Sequence, residues 1–242
     1  QVKSAILLSA LNTLGVTEIK VEKNSRDHTE NLLRTINADI KVKNLKKGQL
    51  IYLKGQKNLL SFNISVPGDP SSAAPFIILA LMTPNSKLLI KNINCNPTRL
   101  GFVKILKKMN ANVKILNLKK RYGELVGNLM VKSSSLKPIK CPKNLIPFAI
   151  DEFPLLFVTA SLIKGVSIFR EIGELRNKES DRIKTVEMGL KKIGIKTRST
   201  KDSLIIRGNP NINLKKTLEI FPKEDHRIAM AFFLFRPDNK WK

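Results

Sequence analysis

Three stretches of this 242-residue chain repeat one layout. Each has an apolar segment of helical period, a short strand-like segment and a polar loop carrying an Arg; a second helical segment and another strand follow. In the first, residues 2–12 predict helix and 16–22 strand; Arg26-Asp27-His28-Thr29-Glu30 follows, then a helix through Ile36 and a strand at 40–42. In the second, helix is expected over 71–82 and strand over 87–93. The loop is Asn96-Pro97-Thr98-Arg99, the second helix ends near Met109 and a strand starts at Val113. In the third, helix spans 151–163 and strand 166–171; the loop 174–182 leads into a helix to Lys192 and a strand from Ile195. From loop Arg to next strand is 14 positions for Arg26–Ile40, 14 for Arg99–Val113 and 13 for Arg182–Ile195. Asn37-Ala38-Asp39-Ile40 and Asn110-Ala111-Asn112-Val113 match in type. Further strands at 49–53, 63–66, 125–131 and 203–207 fill out units that read as βαβαββ, an α/β architecture. A fourth copy opens at Asp225-His226-Arg227, with an apolar helix over 228–235. The array starts inside one unit and stops inside another, so a fragment of a longer protein is expected.

Several function classes fall away. The longest apolar stretches, 73–82, 153–163 and 228–235, fall short of the roughly 20 residues of a membrane-spanning helix. No signal peptide is read after Gln1-Val2-Lys3. Cys95 and Cys141 form neither a disulfide framework nor a metal-ligand cluster, which suits a reducing compartment. The net charge of +25 invites a nucleic-acid reading, but 33 Lys stand against 11 Arg and aromatics are 6%. An AT-rich coding bias explains a Lys-Asn-Ile lexicon without any polyanion, and small anionic substrates remain open. No glycine-rich dinucleotide fingerprint or Walker A loop is present, which disfavours NAD and ATP chemistry.

The densest polar cluster runs from Glu174 to Arg182. It reads either as a solvated loop with internal ion pairs or as a site. If the helix starts early, Lys178 and Arg182, four apart, share a face and clamp an anion, with Glu179 able to move a proton. Asp151, ahead of an apolar helix, is either an N-cap carboxylate or a general base facing a cleft. Arg227 sits one turn into a helix, against the dipole, which asks for an ion pair or a bound anion. His28 and His226 each follow an Asp, but no spacing around them suits a metal, and none is expected.

Seven segments occur in order: 1–5, 26–30, Val66-Pro67-Gly68-Asp69-Pro70-Ser71-Ser72, Asn96-Pro97-Thr98-Arg99, Ile150-Asp151-Glu152-Phe153-Pro154, 174–182 and Asp225-His226-Arg227-Ile228-Ala229-Met230. Together they resemble the 5-enolpyruvylshikimate-3-phosphate synthase (3-phosphoshikimate 1-carboxyvinyltransferase) family, in its second bacterial class. The similarity runs from Gln1 to about Phe233; residues 235–242 do not follow it. The resemblance implies the enolpyruvyl transferase fold: repeated βαβαββ units in two domains with the active site between them. Residues 1–66 would complete the first domain and 67–242 form most of the second, truncated at its end. It implies a cytoplasmic, monomeric enzyme that joins phosphoenolpyruvate to the 5-hydroxyl of shikimate 3-phosphate and releases phosphate, with no metal or organic cofactor and no nucleic-acid or membrane partner.

Residue by residue, the resemblance makes Asp151 the base for the 5-hydroxyl and Glu179 the carboxylate exchanging the proton at the phosphoenolpyruvate methylene. Lys178 bonds the shikimate hydroxyls. Arg182 and Arg227 grip the phosphoenolpyruvate carboxylate, which suits their planar forks. Gln1 lies between the substrates and Arg26 approaches the shikimate phosphate. Glu174 stands where some relatives carry a substrate-contacting Asn, while His28, Asp225 and His226 are supports. The family's N-terminal Lys-Ser pair, phosphate loop and C-terminal active-site Lys have no counterpart, so these residues alone are expected to be inactive. The rival readings are a UDP-N-acetylglucosamine enolpyruvyl transferase, which is not expected to carry the 26–30 and 178–182 motifs, and a basic anion- or nucleic-acid-binding repeat protein.

Overall fold

A computed structural model describes residues 1–22, 25–212 and 220–234 and contains all three units. Unit 1 comprises α1 (Val2–Ala10), β1 (Val16–Val21), α2 (His28–Thr35), β2 (Asp39–Asn44) and β3 (Gln49–Lys54). Unit 2 comprises α3 (Pro70–Met82), β4 (Lys87–Asn94), α4 (Gly101–Lys108), β5 (Asn112–Arg121) and β6 (Glu124–Lys132). Unit 3 comprises α5 (Phe153–Ser161), β7 (Gly165–Phe169), α6 (Arg182–Lys192), β8 (Lys196–Ser199) and β9 (Leu204–Gly208), and α7 (His226–Phe232) follows. In every unit the third strand lies between the other two and pairs antiparallel with both.

The repeated register has a local cause. Asn37, Asn110 and Gly194 follow α2, α4 and α6 at φ 67°, 72° and 81°. Each sends its N–H back to the helix, and the next residue closes a wider loop, Ala38 to Leu33, Ala111 to Leu106 and Ile195 to Leu190. This left-handed stop satisfies the last carbonyls and aims the chain into the following strand. The sheet edges repeat as well. A Cβ on Gly55 or Gly208 would lie 2.0 or 2.1 Å from the carbonyl oxygen of Thr13 or Ile163, so both strands end against the preceding helix turn through a bare backbone.

The strand expected at 63–66 does not form; Ile64 and Val66 are exposed. The chain meets β4 only at Gly68, in a single parallel bridge to Ile93; its N–H donates to the Asn92 carbonyl at 2.7 Å and its own carbonyl accepts from Asn94 at 2.9 Å. Lys140 bridges Ile168 of β7 in the same way, so the leading strand of these units is one residue long. The helix expected from Asp151 starts two residues later, after a 3-10 turn over Ile150–Glu152. The helix expected over 228–235 is α7; Phe235 lies outside the described residues.

Every residue of α5 is buried, as an all-round apolar helix must be, and it packs on α3, α6 and α7. Its own Phe153 and Phe157 meet Phe169 of β7 in tilted and edge-on contacts, with ring centroids 5.0 to 5.9 Å apart. Units 2 and 3 share that core. Leu7, Leu33, Ile51 and Leu53 build a separate one in unit 1.

Candidate functional site

The 3-10 turn before α5 decides what Asp151 does. Glu152 holds the N-cap position of α5 without capping it by its side chain, and Asp151 spends its carboxylate on side chains from elsewhere. Arg26 Nη2, from the loop ahead of α2, donates to Asp151 Oδ2 at 2.6 Å. The Arg26 main chain is itself tied down: Lys3 Nζ donates to its carbonyl at 2.6 Å and to Glu30 Oε1 at 2.5 Å. Burial alone would raise the Asp151 carboxyl. The hydrogen bond and charge of Arg26, with the charges of Arg227 and Lys178, outweigh burial and hold it below the usual carboxylate range.

Asp181 caps α6 by accepting from the Lys184 N–H at 2.9 Å, which fixes the helix start at Arg182. Lys178 therefore lies in extended chain before the helix, and the shared helical face expected for Lys178 and Arg182 does not exist. Lys178 Nζ turns back to Glu174 Oε1 at 2.6 Å, the internal ion pair of the loop reading. Arg182 is 1% exposed, with Nε on Asp225 Oδ2 at 2.8 Å and Nη2 on Glu179 Oε2 at 2.6 Å. Its Nη1 is buried, has no hydrogen-bond partner among the described residues and stops 3.9 Å from Asp151 Oδ1. A buried N–H left unpaired costs about 1–3 kcal/mol, so the site is shaped for an acceptor it does not itself supply.

Asp225, fully buried, caps α7 through the Arg227 N–H at 3.0 Å and also accepts from Ser180 Oγ at 3.1 Å. Burial pushes its carboxyl up, but the bond and charge of Arg182 pull it below the ordinary range. Arg227 Nη1 reaches the Asp151 carbonyl at 3.4 Å and lies 4.0 Å from Glu152 Oε1. The fold thus gathers Arg26, Asp151, Arg182, Arg227, Lys178 and Glu179 from the loops of units 1 and 3 and the head of α7. Glu174 joins them only through Lys178. Gln1 is exposed at the N-cap of α1, its carbonyl accepting from Ala5 at 2.9 Å, two residues before Lys3. Such a ring of cations around one ionised carboxylate can hold an oxyanion while the carboxylate takes a proton from its neighbour.

Spacing alone did not reveal Lys3, Glu152, Ser71 or Arg99, which brace this site, although the segments 69–72 and 96–99 stood out as motifs. Nor did it reveal a cluster of Asp27, His28 and Glu124, whose ligand atoms lie within 4.8 Å of one another. Glu124 is 96 positions from His28. Its oxygens accept from His28 Nδ1 at 2.9 Å and from the amides of Asn31, Asn94 and Asn96 at 3.3, 3.2 and 3.0 Å. Asp27 accepts from Asn96 at 2.7 Å. These carboxylates are occupied in joining α2 to the β4–β6 sheet.

Comparison with known proteins shows the family and the fold. A family profile described as EPSP synthase (3-phosphoshikimate 1-carboxyvinyltransferase) matches residues 1–236. The 3-phosphoshikimate 1-carboxyvinyltransferase of Petrotoga mobilis is 46% identical over 232 residues, 96% of this chain and 52% of the relative. That of Zymomonas mobilis is 42% identical over 235 residues, with the same coverage. The chain spans about half the length of the curated relatives it matches. Among solved structures, EPSP synthase from Acinetobacter baumannii superposes with a TM-score of 0.84 at 39% identity, over 96% of this chain and 53% of that one. The enolpyruvyl transferase NikO from Streptomyces tendae, at 19% identity and a TM-score of 0.59 over 86% of this chain and 46% of its own, shares the fold. The sequence, the repeated α/β units and the relatives agree: this chain belongs to the EPSP synthase family and has the enolpyruvyl transferase fold.

Proposed function

We propose that the intact gene product carrying these residues transfers the enolpyruvyl group of phosphoenolpyruvate to the 5-hydroxyl of shikimate 3-phosphate, releasing phosphate. The observation that carries this reading is the buried, unpaired Nη1 of Arg182 beside the ionised Asp151. Arg182 and Arg227 bind the phosphoenolpyruvate carboxylate, and Arg26 binds the shikimate phosphate. Lys178 and Gln1 orient the acceptor, with Glu174 reaching it only through Lys178. The 5-oxygen bonds to C2 of phosphoenolpyruvate as its proton passes to Asp151, and Glu179 delivers a proton to C3, giving a tetrahedral adduct. Return of one proton from the new methyl group to Glu179, with cleavage of the C2–O bond to the phosphate, restores the vinyl group and expels inorganic phosphate, which takes up the proton held by Asp151. When phosphate draws Arg26 away, Asp151 loses the main restraint on its basicity at the moment a base is needed.

The same reading divides the chain near residue 66 into parts of two domains, which the separate apolar cores support. It also assigns a cytoplasmic monomer. No helix among the described residues is long and apolar enough to cross a membrane. The test is phosphate release from phosphoenolpyruvate with and without shikimate 3-phosphate, repeated for Asp151→Ala. Release that needs shikimate 3-phosphate and collapses in the variant is the expected result. Release driven by UDP-N-acetylglucosamine instead, or by neither acceptor in a folded protein, overturns the assignment.

A further inference from the structure

Unit 2 contributes none of the substrate-facing groups named above, yet it reaches them along one chain of hydrogen bonds that runs from exposed Asp69 to buried Glu152. Asp69 caps α3, accepting from the N–H groups of Ser71 and Ser72 at 3.2 Å each. Arg99 Nη2 donates to Asp69 and, at 2.8 Å, to Ser71 Oγ. The Ser71 hydroxyl in turn donates to Glu152 Oε1, and that same oxygen lies 4.0 Å from Arg227 Nη1. Ser71 and Glu152 are each 3% exposed. The path joins two segments that stand out in the sequence, 69–72 and 96–99, to an arginine facing the site.

Burying a carboxylate this deeply is costly unless it is hydrogen-bonded and faces opposite charge. Burial pushes the Glu152 carboxyl above its ordinary range, and neighbouring Asp151 adds to this; the Ser71 bond and the charges of Arg99 and Arg227 oppose it. Those are the groups that would keep a negative charge fixed at this point. On the turn before α5, Arg227 donates to the Asp151 carbonyl and stands 4.0 Å from the Glu152 carboxylate; of the two carboxylate charges that act on it there, those of Asp151 and Glu152, the Glu152 charge is the buried one.

We propose that Glu152 is a positioning residue: locked by Ser71 and Arg99, it aims the Arg227 guanidinium into the site and thereby sets affinity for the carboxylate of phosphoenolpyruvate. The inference rests on the function proposed above. In the intact gene product, Glu152→Gln raises KM for phosphoenolpyruvate about tenfold, with kcat within about twofold and KM for shikimate 3-phosphate unchanged. Ser71→Ala, a smaller change that leaves the carboxylate in place, moves the same constant in the same direction by less. In an Arg227→Ala background Glu152→Gln adds nothing, because the group it positions is gone. A Glu152→Gln effect that persists in that background, or that falls on kcat with KM intact, overturns the proposal.

Calorimetric titration with phosphoenolpyruvate reads the same comparison independently of the acceptor. A protein that uses a different acceptor refutes the shikimate assignment while the Glu152→Gln comparison still stands or falls on its own. No phosphoenolpyruvate binding by the folded wild type refutes both.

Discussion

Replacing Asp225 with Asn tests the electrostatic frame of the site at its most buried point. Asp225 is 0% and Arg182 1% exposed, and the carboxylate accepts from Arg182 Nε at 2.8 Å, Ser180 Oγ at 3.1 Å and the Arg227 N–H at 3.0 Å. Asn keeps the shape but loses the charge, and its amide NH2 cannot accept from the guanidinium. Arg182 is then left as a buried cation whose remaining carboxylates are Glu179, at 2.6 Å but about half exposed, and Asp151, no closer than 3.9 Å. Breaking one side of a buried ion pair costs about 3–5 kcal/mol. With an m-value of about 3 kcal/mol/M in urea, the unfolding midpoint falls by about 1–1.7 M. The pH dependence gives an independent check. A carboxyl whose folded pKa is depressed contributes stability above its unfolded pKa, and that contribution is lost as pH falls through the folded value. The gap between wild type and Asp225→Asn is therefore full at neutral pH and closes on acidification. A gap below about 1 kcal/mol at pH 7, or one that widens in acid, would refute the buried-pair reasoning.

Three further outcomes are expected. In Arg26→Ala the acid limb of the kcat/KM profile of the intact gene product, which reports the free enzyme, moves to higher pH, because there Arg26 supplies the largest downward pull on Asp151; an unmoved limb shows that another group sets it. Gly189→Ala should gain up to about 1 kcal/mol of helix propensity, but its Cβ would lie 2.3 Å from Phe232 Cζ. Overpacking of about 1–3 kcal/mol wins and lowers Tm by a few degrees, and a stabilised variant contradicts the α6–α7 contact. Phe157→Ala, which removes one of three mutually contacting rings, costs about 3–5 kcal/mol by urea titration; a loss under about 1 kcal/mol means the ring cluster is not the core.

The repeat was legible because its punctuation is local. Asn37, Asn110 and Gly194 end their helices by backbone conformation alone, so equal spacing in sequence became equal geometry. The strand expected at 63–66 failed because alternation in Asn63-Ile64-Ser65-Val66 signals a pleated segment without supplying a neighbour to pair with. The Lys178–Arg182 face failed because Asp181 is a better helix start than anything upstream of it. Helix spacing could not separate the readings of Asp151. Its partner Arg26 is 125 residues away, and one 3-10 turn removes it from the capping position. Glu152 was invisible for a related reason: its role depends on Ser71, 81 residues back, and on burial that one chain's letters do not display.

The separation between near and distant contacts also orders the assembly of the molecule. Each sheet closes within one unit, so its loops are short and their entropy is repaid early. The bonds of Asp151 with Arg26 and with Arg227 close loops of 125 and 76 residues, and they have nothing to hold until the units exist. It follows that the site is the last part to form and the first to open. In native-state hydrogen exchange, the amides of Asp151 and Glu152 should exchange through smaller openings than those at the centres of β6 and β9; equal protection would argue for a single cooperative block. A chain can then keep its secondary structure while its chemistry is already gone.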